Sequence, residues 1–233
     1  VRVSGATGRI EELPGYGDGE WWVQDAAATL PVAMLGDVEG LRVLDLCAAP
    51  GGKTAQLAAA GARVTAVDLS KERLARVEQN LQRLGLSSAE LKCDDAAKMT
   101  ADELFDAVIC DVPCSATGTI RRHPDLPYLK TVKQMTDLTR VQAAIIGNAI
   151  KLTRPGGTVV YCTCSLEPEE CDNQIESLLA TNAPVSRDPV LPGQLFEQAH
   201  LISKDGDLRS LPFHCLGEMA GLDGFYGCRL LKS

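Results

Sequence analysis

The 233-residue sequence predicts an α/β fold, a mostly parallel doubly wound sheet of about seven strands with an antiparallel closing strand. Three observations carry this. Short apolar runs rich in branched residues alternate with amphipathic stretches of helical period. The unusual polar residues gather at the carboxyl ends of those runs, where open sheets of this class bind ligands. The last two strand-like runs lie close in sequence, as an antiparallel pair does.

The first strand is "LRVLDL" (41–46), ended by a Gly/Pro loop. "KTAQLAAAG" (53–61) is helical and closes on Gly61. "RVTAVDL" (63–69) is the second strand. In the helix 70–85, Ser70 suits the N-cap, Leu74, Val77, Leu81 and Leu84 recur at three- and four-residue steps, and Gly85 ends it. Further strands are expected at 89–93, 105–111 and 157–163, with helices over 134–153 and 168–180. Residues 183–207, rich in Pro, Gly and Asp, read as an irregular excursion. "LRSLPFHC" (208–215) and "GFYGCRLL" (224–231) read as a closing pair on the sheet edge.

The length suits one large domain. A formal charge of −8 argues against holding nucleic acid by bulk electrostatics alone. No apolar run reaches the ~18 residues of a spanning helix, and the N-terminus lacks a signal-peptide pattern. Nine cysteines, an odd number with several inside apolar runs, point to reduced thiols and a cytoplasmic setting. The start at Val1 reads as a fragment or a processed product.

"DLCAAPGGKT" (45–54) joins a strand to a helix. Small residues let backbone approach a ligand closely, and the helix N-terminus favours anionic groups. A phosphate loop needs Gly where Cys47 stands, and G-x-G-x-x-G is absent, so the loop suits a nucleoside with little phosphate. Asp68 ends the second strand, placed to accept from ribose hydroxyls, and Asp95 ends the third, placed to read an adenine amino group. Strand ends favour Asp for solvation alone, so a single one decides little; three in register, with Asp111, point to a site.

"LDLCAAPGGKT", "VDLSKERL", "DVPCSATGTIRRHPD" and "YCTCSLEPEE" resemble the Sun/Fmu-type (Nop/Sun) RNA 5-methylcytosine methyltransferases, in particular their bacterial small-subunit ribosomal RNA branch. The resemblance runs from about Gly15 to Leu231. It implies a Rossmann-like core that uses S-adenosylmethionine (SAM), lined by Cys47, Ala48, Ala49, Pro50, Gly51, Gly52, Lys53, Asp68, Asp95 and Asp111. It implies Cys164 as nucleophile and Cys114 as its helper. Asp94 stands where relatives often carry Gly, which leaves open whether Asp94 or Asp95 meets the adenine; Val112 replaces a usual Ala. Relatives carry an N-terminal RNA-binding region, so 1–35 reads as the remnant of one plus a helix on the core, and 36–233 as the catalytic domain.

Carbon 5 of cytosine is a poor nucleophile. A thiolate adding at carbon 6 makes it an enamine that can take the methyl group, and a second polar group then assists release. Asp111 is suited to hold the base, and Lys53 to steady Asp111 or lower a thiol pKa. The base must be unpaired or flipped out. "RRHPDLPYLK" (121–130) is the main basic cluster; Arg121 and Arg122 are RNA-contact candidates, with Tyr128 as a stacking face. Trp21 and Trp22 either pack on the core or cover the cofactor. Cys47, Cys93, Cys110, Cys162, Cys215 and Cys228 read as small core hydrophobes. Cys162, Cys164 and Cys171 lack a zinc spacing, so no metal is expected; His200 and His214 show no ligand spacing. The expected partner is RNA, ribosomal rather than transfer RNA, and the expected state a monomer. A non-catalytic RNA-binding module is the reading from another class.

Overall fold

A computed structural model describes residues 8–86 and 89–233. The first seven residues of the expected lead-in, 1–7, lie outside the described residues. Chain order is α1 (Ala26–Ala33), β1 (Arg42–Leu46), α2 (Gly52–Ala59), β2 (Arg63–Asp68), α3 (Lys71–Arg83), β3 (Glu90–Cys93), β4 (Phe105–Asp111), α4 (Leu126–Leu129), α5 (Val132–Leu152), β5 (Thr153–Thr163), α6 (Asp172–Ala180), β6 (Val185–Arg187), β7 (Leu208–Ser210), β8 (Cys215–Leu216), β9 (Met219–Ala220) and β10 (Phe225–Lys232).

The main sheet runs β3-β2-β1-β4-β5-β10-β6, with β7 also paired to β10. The first five strands are parallel and β10 is antiparallel to β5. The alternating period sends Val43, Val64, Ala66, Ile109 and Val160 to one face, where α1 and α2 cover them. Leu44, Leu46, Val67, Val108 and Tyr161 go to the other, under α5 and α6. Burial on both faces is why these strands read as continuous apolar runs. Ile109 is fully buried, and truncating such a side chain to Ala costs about 2–5 kcal/mol.

Two expectations are corrected. The expected closing pair forms, β7 antiparallel to β10, but β10 is not the outermost strand: β6 pairs with its Leu230–Lys232 end and β7 with its Phe225–Gly227 end, so two short strands share that edge. The 183–207 excursion therefore contains a strand, too short at three residues to show a period. Elsewhere boundaries move slightly. The Ser70 hydroxyl accepts from Arg73 N at 3.2 Å, as expected of the N-cap of α3. α5 begins at Val132 because Thr131 and Gln134 form a reciprocal capping box. Gly51 adopts φ +100°, and a Cβ there would come within 2.9 Å of Val77 Cγ1, so the 47–53 loop can rest on α3 only with glycine at that place.

Candidate active site

Two neighbouring parallel strands deliver the two thiols. β4 ends at Asp111, in register with Cys162 of β5. Three residues beyond Asp111 stands Cys114; one residue beyond β5 stands Cys164, and their Sγ atoms are 3.5 Å apart. The loops are fastened together by backbone. Gly118 N donates to the Cys164 carbonyl and Gly224 N to the Gly118 carbonyl, each at 2.8 Å. A Cβ on Gly118 would fall 2.0 Å from Gly224 O, so any side chain there would push the loops apart.

The contact dominates the acidity of both sulfurs. The hydrogen bond from Cys164 lowers the pKa of Cys114, against burial, and the same bond together with burial raises that of Cys164. Burial also holds the neighbouring Cys162 thiol far above its ordinary value. Of the two facing cysteines, Cys164 lies on the wall of a cleft of about 1140 Å³, and Cys114 stands behind it.

Asp111, Lys53, Thr119 and Phe225 share that wall. Lys53 reaches from the first turn of α2 to Asp111 Oδ2 at 2.7 Å, with its Nζ 4.9 Å from the Phe225 ring centre. Burial works to lower the Lys53 pKa; Asp111 overrides it and leaves the ammonium raised. Asp45, beneath them, accepts from Thr54 Oγ1 at 2.6 Å while its Oδ1 has no hydrogen-bond partner among the described residues. Burial pushes its pKa up to about 7.

At the other side of the 47–53 loop, Asp68 is 2% exposed. Its Oδ2 accepts from Ala49 N at 3.1 Å and its Oδ1 from Ser70 N at 3.0 Å. Oδ2 also lies 3.5 Å from Arg73 Nη2, so Oδ1 is the less engaged of the two oxygens. Cys47 takes φ +62° and its thiol is pushed up to about 12 by burial. Ala48, Ala49 and Gly51 are buried, while Pro50 is exposed. β3 ends at Cys93, so Asp94 and Asp95 stand in the turn beyond it rather than at the strand end. Asp95 is occupied: its Oδ1 accepts from Ala97 N at 3.0 Å and its Oδ2 pairs with Lys98 at 3.0 Å, which lowers its pKa. Asp94 is exposed and accepts only from Asp95 N, at 2.7 Å, among the described hydrogen bonds.

The basic loop departs from expectation. Arg122 grips the buried Asp223 through Nε and Nη2, the latter at 2.5 Å, and Arg121 Nη2 lies 3.3 Å from Asp25 and 3.4 Å from Asp223. These arginines are not free cations. Tyr128, 89% exposed, does present an open ring. Trp22 packs on the cluster of Ala49, Ala55, Val77 and Leu81, while Trp21 stacks edge-on to Tyr16 and donates to the Pro14 carbonyl at 2.9 Å. Cys93 and Cys215 are exposed, so they are not the core hydrophobes the sequence suggests. Among the described residues no group of His, Cys, Asp and Glu could hold a metal ion. Sequence reasoning missed Asp25, Phe225, Asp223 and Glu170. Asp25 carried a signal as an N-cap Asp before "AAATL", where it accepts from Ala27 N at 2.9 Å, and Glu170 stands at the end of the "YCTCSLEPEE" run.

An eight-stranded, mostly parallel sheet with β10 inserted antiparallel between β5 and β6, a glycine-rich first loop and paired thiols at its carboxyl edge define a Rossmann-like core. The chain belongs to the family described as 16S rRNA methyltransferase RsmB/F, whose model matches residues 32–231. It is 40% identical over 228 residues to ribosomal RNA small subunit methyltransferase B of Erwinia tasmaniensis, and 43% identical over 232 residues to that of Klebsiella pneumoniae. Each match covers 96% of this chain, which spans about half (49%) of the length of the curated relatives it matches. Among solved structures it is similar to NSun6 from Pyrococcus horikoshii, solved with SFG, with TM-score 0.82, 28% identity, and coverage of 97% of this chain and 56% of that one.

Proposed function

We propose that this chain transfers a methyl group from SAM to carbon 5 of a cytosine in RNA, through a covalent adduct between Cys164 and carbon 6. The observation that carries it is the 3.5 Å pairing of Cys114 and Cys164, with Cys164 on a cleft wall shared by Asp111 and Lys53. Transfer to nitrogen or oxygen needs no nucleophile on the enzyme; an unactivated ring carbon does.

The 47–53 loop and Asp68 fit the nucleoside part of SAM: small buried residues, and a carboxylate at the end of β2 whose Oδ1 accepts only from Ser70 N among the described hydrogen bonds. Asp94 is the freer acceptor for the adenine, with Asp95 tied to Lys98. SAM, when bound, supplies an already activated methyl group. The rest is the work of the chain. Cys164, held as a thiol, first gives its proton to water in the open cleft; its thiolate then adds to carbon 6, and Asp111, braced by Lys53, holds the amino edge of the base. After transfer the carbon-5 proton leaves to an acceptor beside the ring. The C–H electron pair closes the C5–C6 double bond, the C6–S bond breaks, and its pair returns to Cys164. Cys114, in contact with Cys164, assists this release.

The family name and the small-subunit relatives support ribosomal RNA as the substrate, and the reduced thiols support a cytoplasmic setting. No described helix is long and apolar enough to cross a membrane. Within 1–35, α1 packs on α2, which supports reading it as the helix on the core. The test is transfer of tritiated methyl to ribosomal and transfer RNA, each digested to nucleosides. Label in 5-methylcytidine from ribosomal RNA is expected; label confined to another nucleoside would defeat the reading.

A further inference from the structure

We infer that Glu170 is a positioning residue for Cys114: its buried carboxyl group holds the 112–118 loop so that the second thiol is in place when the cytosine adduct is released. The inference rests on the cytosine reading above.

Glu170 lies in the turn after Cys164 and is fully buried. Its oxygens accept from Ser115 N at 2.9 and 3.1 Å, from Ser115 Oγ, and from Gln142 Nε2 at 3.0 Å. The same Gln142 amide donates to Pro113 O at 2.9 Å. The residues on both sides of Cys114 are thus fixed, Pro113 through its carbonyl and Ser115 through its N–H and hydroxyl. Glu170 is itself tied down, since Tyr161 Oη donates to its backbone carbonyl at 2.7 Å.

All these donors are neutral. A buried carboxyl group is costly unless donors converge on it, and a residue serving packing alone at this place would be apolar. The need met here is for an acceptor. The Ser115 N–H points inward, and nothing else described satisfies it. Around this centre the two loops knit together: Ser115 Oγ lies 3.1 Å from Ser165 Oγ, and Leu166 N donates to Thr117 Oγ1 at 3.0 Å. Among the described hydrogen bonds, the side chain of Glu170 reaches the Cys114 loop and never Cys164. Its loss therefore bears on release more than on attack.

Glu170→Gln keeps the shape but turns an amide N–H₂ toward one of the donors, so at least one contact is lost. The assay mixes the chain with SAM and in-vitro-transcribed small-subunit ribosomal RNA. It follows the protein–RNA adduct on denaturing gels and the released methylated RNA by label. Adduct formation is expected within about threefold of the unaltered chain. Release is expected to fall about 10- to 100-fold, as a sub-ångström misplacement of an assisting group does, so the adduct band accumulates. Ser115→Ala, which loses the hydroxyl contact and keeps the N–H, should show the same partition to a smaller degree; it also serves if Glu170→Gln does not fold by thermal melting. Formation and release falling in parallel, or neither changing, in the variant that folds would overturn the inference. If the unaltered chain methylates no cytosine, the reading beneath it fails; if it does and the partition is unmoved, only the Glu170 assignment fails.

Discussion

Cys114 and Cys164, fifty positions apart in sequence, meet at 3.5 Å between sulfurs because β4 and β5 are adjacent, parallel and in register from Ala107 with Thr158 to Asp111 with Cys162. Only one of the pair opens onto the cleft. Under the mechanism proposed above, the thiol on the cleft is the nucleophile and the other assists release. Cys164→Ala is expected to form no protein–RNA adduct on a denaturing gel and to transfer no methyl. Cys114→Ala is expected to form the adduct and retain it. An adduct in Cys164→Ala with none in Cys114→Ala would exchange the roles.

The shared hydrogen bond also sets an acidity that can be titrated. It is the largest cause raising the Cys164 pKa. Removing Cys114 removes it, so the Cys164 pKa should fall. The rate of iodoacetamide alkylation at Cys164 should therefore rise at lower pH in Cys114→Ala than in the unaltered chain. An upward move of that profile would show that the contact does not act on Cys164 as described.

Lys53 and Asp111 test the electrostatic brace. Removing one partner of a buried pair strands the other. Asp111 keeps some contact with water, so Lys53→Met should cost nearer about 2 kcal/mol than the about 5 of a fully enclosed pair, read by urea unfolding. Adding Asp111→Asn should recover part of that loss. Strictly additive losses would mean that the two groups do not interact.

Asp45 gives a pH signature. Burial raises its pKa from an ordinary 3.8 to about 7. Between those values the folded chain holds a proton that the unfolded chain has lost, so stability falls as pH rises. The full contribution is present below about pH 4 and is gone above about pH 7. Asp45→Asn should remove roughly 1.4 kcal/mol per pH unit of slope within that window. The check is the difference between the two unfolding free energies at pH 5 and pH 7; equal slopes would defeat it.

Most of the candidate site is legible in the sequence because its residues sit at fixed offsets from strand ends. Asp68 ends β2, Asp111 ends β4, and Cys164 follows β5 by one residue. Period and strand length alone carry those positions. The third strand fails by the same logic: at four residues, β3 ends before Asp94, and the turn beyond it is set by Asp95 capping Ala97 and pairing with Lys98. What the sequence hides are partners brought in from far along the chain. Asp223 reaches Arg122 across 101 positions, and Glu170 reaches Ser115 across 55. A run such as "TIRRHPD" shows its cations and not the anion that faces them.

Asp68 separates a cofactor carboxylate from a loop cap. It already accepts from Ala49 N and Ser70 N and pairs with Arg73, so a purely structural role would leave SAM affinity unchanged in a variant that still folds. If its carboxylate also takes the ribose hydroxyls, Asp68→Ala should weaken SAM binding by about 1–3 kcal/mol in calorimetry. Asp68→Asn, which keeps one acceptor oxygen, should fall between. Unchanged affinity in both would return Asp68 to the loop.

The arginine pair carries the last prediction, because its geometry alters what a basic loop is expected to do. A cation that neutralises an RNA phosphate adds about 0.7 to the slope of log affinity against log salt on a single strand. Arg122 already faces Asp223 in a two-nitrogen grip, and Arg121 stands between Asp223 and Asp25. Either would meet phosphate as a cation already compensated by a buried carboxylate behind it, which weakens what it adds to RNA binding. Arg122→Ala is therefore expected to lower thermal stability, since Asp223 is left buried with a weaker partner, and to leave the salt slope of RNA binding nearly unchanged. Tyr128→Ala should do the reverse: unaltered melting, and weaker RNA binding through a lost stacking face worth about 1–3 kcal/mol. A salt slope that falls by about 0.7 in Arg122→Ala, with melting unaltered, would put the guanidinium on the RNA instead.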